Sequence, residues 1–374
     1  QASISHVHDN SVAHTDFANL ITAIRDCADE RALSELVGQR VRDFSPAHTA
    51  AAFRRLALIC RLDKVRSQQL RVIGRTPLKS SFASWSAKNS VVTIKDAGWN
   101  EPMGAQRRDV LHHLGLRVLE VQRQLKPREV ASTLWALGSL NVVVGRNKLV
   151  DVLTRRLLEV GPDFSPLQLA STLWALARIH GRSSHDAGLL QMLSFRVLVK
   201  APFFNAQEIA NSLWAFAKME AEVDARVVRA LGVRAMTIAD TFKPQELSNT
   251  LWALSRFRDG VAVDRRVVHA LSARAAYVSS EFNSQEVSNS LWALARLGHD
   301  PDPSLIAALS SRAVAVSNRF VPQELANVLW ALGRLARPVP AEVLAALQAR
   351  GVQVAGRFNA AEYSMTLWGL ARIG

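Results

Sequence analysis

The sequence predicts an all-α solenoid of stacked antiparallel helical hairpins with about 38 residues per repeat, and three observations carry that prediction. The segment LWAL, or a near variant, recurs at Trp135, Trp174, Trp214, Trp252, Trp292, Trp330 and Trp368, at intervals of 39, 40, 38, 40, 38 and 38 residues. That period belongs to helical-hairpin repeats, since two helices of about four turns with short connections fill one unit. Within each unit the apolar residues recur at helical rather than strand spacing.

Taken in chain order, residues 1–14 are polar, contain His6, His8 and His14, and are expected to form a flexible tail. Residues 15–73 are expected to hold a worn repeat. There FSPAHTAAAFRRLAL (Phe44–Leu58) aligns with FSPLQLASTLWALAR (Phe164–Arg178), with Arg54 where the tryptophan would stand. Residues 74–104, rich in Ser, Gly, Asn and Lys, read as an insertion or loop. Residues 105–374 are expected to be a seven-repeat solenoid.

The LWAL helix announces its start. Asn205, Asn283, Asn359 or Ser165 stands at the N-cap, and Pro166, Pro244 or Pro322 follows at the first helical position in several copies. Three residues after the cap comes Glu208, Glu246, Glu286, Glu324 or Glu362, which completes a capping box where the cap is Asn and favours the helix dipole throughout. Leu325, Leu329 and Leu332 mark the core-facing side, kept shallow by Ala326 and Gly333. The other helix of the unit places Val267, Leu271, Ala275 and Val278 on one face, a register repeated by Val227, Leu231, Ala235 and Ile238.

The tryptophans fall at the edge of the apolar face, where an indole seals one hairpin against the next while its N–H finds a partner. On that reading Trp292→Ala costs about 3–5 kcal/mol by cavity formation. Base stacking is the less favoured alternative.

Lysine plus arginine exceed aspartate plus glutamate by 46 − 32 = 14, an excess that favours polyanionic partners, nucleic acid or an anionic surface. Cys27 and Cys60 are the two cysteines, neither at zinc-ligand spacing, so reduced thiols are expected. No run approaches the roughly 20 apolar residues that cross a bilayer, so no membrane insertion is expected. GxxxxGK[ST], GxGxxG and HExxH do not occur. With no metal site and no cofactor expected, the chain reads as a binding protein rather than an enzyme. Of the adjacent His112 and His113, one is expected in the core and one at the surface.

A solenoid binds along a column formed by one position of successive units, and two columns stand out. The first pairs Arg178, Lys218, Arg256, Arg296, Arg334 and Arg372 in the last turn of the LWAL helix with Ser171, Asn211, Asn249, Asn289 and Asn327 seven residues earlier, hence on one stripe. The first repeat has Ser132 and Ser139 instead. Such a stripe offers an amide and a cation per unit to RNA phosphate or sugar. Equally, the cations can answer the helix dipole and the amides can tie neighbouring backbones. Because the residue types hardly vary, the stripe grips RNA without spelling a base sequence.

The second column is Arg117, Arg156, Arg196, Arg234, Arg274, Arg312 and Arg350. Measured from Val267, Arg274 projects within the apolar sector, so a structural role is favoured, with the stem buried and the head on a carboxylate or carbonyl. Which helix of the hairpin lines the groove is left open. If each unit reads about one nucleotide, the bound tract is roughly seven or eight nucleotides.

PQELSNTLWAL (Pro244–Leu254) and PQELANVLWAL (Pro322–Leu332), on a period near 38, resemble the octotricopeptide repeat family from about Arg107 to the C-terminus. The resemblance implies an α-solenoid acting in a mitochondrion or chloroplast, in matrix or stroma. Its implied partner is single-stranded RNA, either a transcript to be stabilised, processed or translated, or ribosomal RNA held as a subunit of a mitochondrial or other organellar ribosome. Other ribosomal or RNA-processing proteins are implied as further partners, and the alternative is a protein–protein scaffold without RNA contact. Gln1 at the start and a repeat helix at the end, Ala371–Gly374 without a polar cap, lead one to expect processing and a continuation or partner.

Overall fold

The computed structural model describes residues 16–72, 105–141, 148–180, 186–257, 263–298 and 302–374; the expected tail and the expected insertion lie outside them. Every regular element among these residues is a helix, and the fold is the all-α solenoid the repeats predict. A helix over residues 16–26 (α1) precedes two alternating sets. The LWAL set is α3 (Pro46–Val72), α5 (Pro127–Ser139), α7 (Pro166–His180), α9 (Ala206–Met219), α11 (Pro244–Leu254), α13 (Ser284–Leu297), α15 (Pro322–Leu335) and α17 (Ala360–Ile373). The alternate set is α2 (Glu30–Arg40), α4 (Ala105–Val121), α6 (Lys148–Val160), α8 (Ala187–Lys200), α10 (Ala225–Thr237), α12 (Arg265–Tyr277), α14 (Pro303–Ala315) and α16 (Ala341–Val354).

Two compact units divide within α7. One comprises Gln1–Phe164 and Trp174–His185, the other Ser165–Leu173 and Asp186–Gly374. In the first, α3 packs on α5 and α2 on α4; in the second, α9, α11, α13, α15 and α17 stack in order, and α8 to α16 form a parallel row. The LWAL helices pack far more extensively on one another than the alternate helices do. Small residues allow this. A Cβ added to Gly333 would lie 2.8 Å from the Gly369 carbonyl oxygen, and one added to Gly138 would lie 2.9 Å from the Ala175 Cα, so backbones meet with no side chain between them.

The turn between sets is built the same way each time. Each alternate helix from α2 to α16 runs into a short 3-10 turn, and an extended residue then redirects the chain. That residue is Phe44, Leu125, Phe164, Phe204, Phe242, Phe282 or Phe320, all with no exposed surface, and after α16 the half-buried Phe358. An apolar side chain just before the N-cap fixes the entry angle of the helix. The Asn caps work as expected: Asn205, Asn283 and Asn359 accept from the N–H of Glu208, Glu286 and Glu362, whose carboxylates accept from the cap N–H at 2.8–2.9 Å. With Lys126, Lys243 or Val321 as the cap residue, the returning glutamate half remains. The alternate helices α2, α8, α10, α12 and α14 use a different cap that the sequence reading overlooked, Asp29, Asp186, Asp224, Asp264 and Asp302.

One expectation, that one of the paired histidines is core, is corrected. Neither of the paired histidines is in the core: His112 is half-buried and His113 exposed, because both lie away from the Val110, Leu114 and Val118 face. A column of buried hydroxyls, Thr133, Thr172, Ser212, Thr250, Ser290 and Thr366, has no hydrogen-bond partner among the described residues, and Val328 fills the same buried position in α15. The two cysteines are free and buried, with the Cys60 thiol pushed up to about 12 chiefly by burial, so it stays protonated. No helix among the described residues is long and apolar enough to cross a membrane, and no cluster of potential metal ligands occurs among them.

Candidate nucleic-acid interface

The two arginine columns have different surroundings. Along the alternate set, Arg117, Arg156, Arg234, Arg274, Arg312 and Arg350 each donate Nε to the backbone carbonyl of Phe44, Leu125, Phe204, Phe242, Phe282 and Phe320, at 2.7–3.1 Å. These are the residues of the turn in the preceding repeat. Every arginine of the column, Arg196 included, is half-buried. The structural role read from the helical wheel holds: a carbonyl is the partner, joined by a carboxylate at Arg117 (Glu120) and Arg156 (Glu159). It answers a backbone acceptor that the extended turn leaves outside any helix.

Along the LWAL set, amide, indole and cation fall at positions i, i+3 and i+7 of one helix face. The triplets are Asn211, Trp214 and Lys218 on α9; Asn249 and Trp252 on α11 with Arg256 in the turn just past its end; Asn289, Trp292 and Arg296 on α13; and Asn327, Trp330 and Arg334 on α15. On α17 Met365 replaces the amide ahead of Trp368 and Arg372. The guanidinium stands over the indole of its own repeat at 5.5 Å for Arg256, 4.9 Å for Arg296, 5.4 Å for Arg334 and 5.8 Å for Arg372. Consecutive indoles touch, with centroids 6.4 Å apart for Trp292 and Trp330 and 6.2 Å for Trp330 and Trp368. The result is an aromatic ladder topped by cations.

The cations do answer a dipole, but it is the neighbour's. Arg296 Nε donates to the Ser255 carbonyl at 3.4 Å and Arg334 Nε to the Ala295 carbonyl at 3.0 Å, both at the C-terminal end of the preceding LWAL helix. The rest of each guanidinium is exposed, as are Lys218 and Arg372. Among the described residues neither Arg296 nor Arg334 pairs with a carboxylate. Burial first, and then the charges of Arg256 and Arg334, lower the pKa of Arg296, so like charges are held together there. Arg256 differs, being tied to Glu220 at 2.9 Å.

The four amides do not tie backbones together. Asn211, Asn249, Asn289 and Asn327 are half-buried, and among the described residues their side chains make no hydrogen bond to protein. The tryptophans differ from expectation in one respect. They are half-buried rather than sealed, Trp368 being 42% exposed, and no indole N–H donates to protein among the described residues. The ladder edge faces water.

In the first unit the stripe is weaker, with Ser132, Trp135 and Ser139 on α5. The end of α7 supplies Trp174 and Arg178, whose Nε donates to Gly138 at 2.8 Å and whose terminal nitrogen reaches Asn141 at 3.3 Å. Arg178 lies 5.1 Å over Trp174, and burial lowers its pKa. Ser171, on the other side of the division in α7, is half-buried.

Three findings from known proteins bear on this geometry. Residues 257–374 are similar to the N-terminal domain of the Tbc2 translation factor. A search of curated proteins returns no match. Residues 101–302, more than half of the chain, match the family described as RNA-editing substrate-binding complex 6 protein, and the chain belongs to that family.

Proposed function

We propose that this protein holds single-stranded RNA along the exposed ladder of its LWAL helices, with phosphates on Lys218, Arg296, Arg334 and Arg372 and sugars or base edges at Asn211, Asn249, Asn289 and Asn327. One observation carries the reading: the guanidiniums of Arg296 and Arg334 stand over half-exposed indoles with no carboxylate partner among the described residues, and each is flanked by amides that bond no protein group. Membership of a family named for RNA-editing substrate binding, and similarity to part of a translation factor, support an RNA-associated role. We read it as an organellar protein of the octotricopeptide type, in mitochondrion or chloroplast, that binds transcripts or ribosomal RNA and performs no chemistry on them. The partly structural use of the Arg296 and Arg334 guanidiniums fits a clamp that is already ordered before RNA arrives.

Salt tests this. A clamp neutralising about four phosphates loses affinity with a log–log slope near −3, from roughly −0.7 per phosphate. Fluorescence anisotropy with a labelled ten-nucleotide uridylate is expected to give that slope. A flat response favours the second reading, a scaffold that docks protein in the same groove.

A further inference from the structure

The worn repeat departs from the regular copies at three positions of one stripe. Where α11 carries Gln245, Asn249 and Trp252, α3 carries Ala47, Ala51 and Arg54. Gln285, Asn289 and Trp292 on α13, and Gln323, Asn327 and Trp330 on α15, repeat the full-sized pattern. Two amides and an indole have thus been cut away side by side. The first unit has a cavity of about 590 Å³ at that place, walled by α1, α3 and α5, a volume within the usual range of small-ligand sites.

Its walls are chemically sorted. Arg25, Arg54, Arg55 and Arg128 line it against a single carboxylate, Glu129, which is already accepting from the Lys126 N–H. Arg55 is engaged by the Cys27 carbonyl. Arg25, Arg54 and Arg128 are exposed, and none forms an ion pair among the described residues. Phe17, Ile21 and Leu58 supply the apolar side. Phe17 is held in place, its ring 4.3 Å from that of buried His48 and its carbonyl 3.1 Å from His48 Nε2. Arg54 also stands 5.5 Å over Trp135, and Ser132 lines the cavity, so it opens onto the stripe of α5.

We propose that this cavity receives one phosphate-bearing nucleotide, its phosphate on Arg25, Arg54 and Arg128 and its base against Phe17 and Leu58. Guanidinium forks suit phosphate oxygens, and an aromatic wall suits a base of any identity. The proposal deepens the RNA-holding reading and borrows from it the expectation that the nucleotide belongs to RNA. A terminal phosphate, an internal nucleotide and a free mononucleotide share this chemistry.

Anisotropy separates them with one ten-nucleotide RNA sequence prepared with a 5′-phosphate, a 3′-phosphate or hydroxyls at both ends, and with AMP and UMP as competitors. Two variants are compared with the parent. Arg54→Ser with Arg128→Ser removes charge from exposed positions. Ala47→Gln with Ala51→Asn restores the residues of the regular copies, keeps every arginine and fills the space. Both variants are expected to retain helicity and to lose about tenfold in affinity for the occupant. Loss confined to one phosphorylated RNA identifies a terminal phosphate, equal loss for all three RNAs an internal nucleotide, and loss of competition by AMP or UMP a free nucleotide. Affinities within twofold of the parent for every probe in both variants overturn the proposal. Arg296→Glu with Arg334→Glu keeps the two readings apart: RNA affinity unchanged in that variant but lost in the cavity variants would sink the ladder and leave the cavity standing.

Discussion

Both rows of helices carry a column of basic residues, unbroken arginine in the alternate row and mostly arginine in the LWAL row, and they use them in opposite ways. In the alternate row each arginine is half-buried and six of the seven donate to the turn carbonyl of the repeat before, as Arg274 does to Phe242. In the LWAL row the arginine touches its neighbour through Nε and leaves the remaining donors at the surface over an indole, as Arg334 does over Trp330. A periodic cation is therefore no mark of a ligand site. What separates the columns is whether the backbone consumes the head group or leaves it to a partner.

Breaking each column by itself sharpens that contrast. Arg296→Glu with Arg334→Glu is expected to cost at least tenfold in RNA affinity, about 1.4 kcal/mol or more, measured by anisotropy at low salt. Arg274→Ala is expected to do the reverse: about 1–3 kcal/mol less stable by urea unfolding, from an orphaned buried carbonyl and a lost stem contact, with the RNA salt slope unchanged. Trp292→Ala belongs between them. A half-buried indole packed on Trp330 leaves a smaller hole than the sealed one the sequence suggested, so about 2 kcal/mol is expected, below the usual 3–5 for a fully buried ring.

A smaller effect of opposite sign tests the packing inside the LWAL row. Thr250 Oγ1 is buried without a partner and Val328 occupies the same place in α15, so Thr250→Val is expected to stabilise by about 1 kcal/mol in the same unfolding assay. A loss of stability would mean that the hydroxyl has a partner after all.

Acid should act on the rows unequally. Asp224 and Asp264, hydrogen-bonded to Arg226 and Arg266, and Asp302, bonded to the Ser304 N–H, titrate below the ordinary aspartate range. Their contribution is present above the unfolded value and is lost as pH falls through the folded one. Glu208 and Glu286 in the LWAL row are raised, first by burial, so their contribution is present below the unfolded value and lost as pH rises through the folded one. Asp264→Asn is therefore expected to flatten the acid limb of a stability profile slightly, and Glu286→Gln to steepen its upper end slightly.

Much of this was legible in the residues. The period, the Asn–Glu capping boxes and the buried lie of Arg274 all follow from spacing, because each depends on one helix and its own register. Features that join neighbouring repeats were not legible. No spacing rule names Phe242 as the acceptor for Arg274, or places Gly333 against Gly369, since both depend on how far one hairpin slides over the next. The aspartate caps of α8, α10, α12 and α14 were available to the same reasoning and were missed: Asp186, Asp224, Asp264 and Asp302 each stand one residue before a helix. The loss of bulk at Ala47 and Ala51 was equally in view, but only the packing of α1 turns it into a cavity.

The central claim is that RNA lies on the LWAL ladder and not on the alternate row. Photocrosslinking of a 4-thiouridine oligonucleotide to the protein, with the adducts located by mass spectrometry, reads this directly. Adducts are expected on peptides carrying Trp252, Trp292 and Trp330 with their neighbouring asparagines. Adducts concentrated on α12 around Arg274 and the exposed Tyr277, with the ladder unmarked, would contradict it.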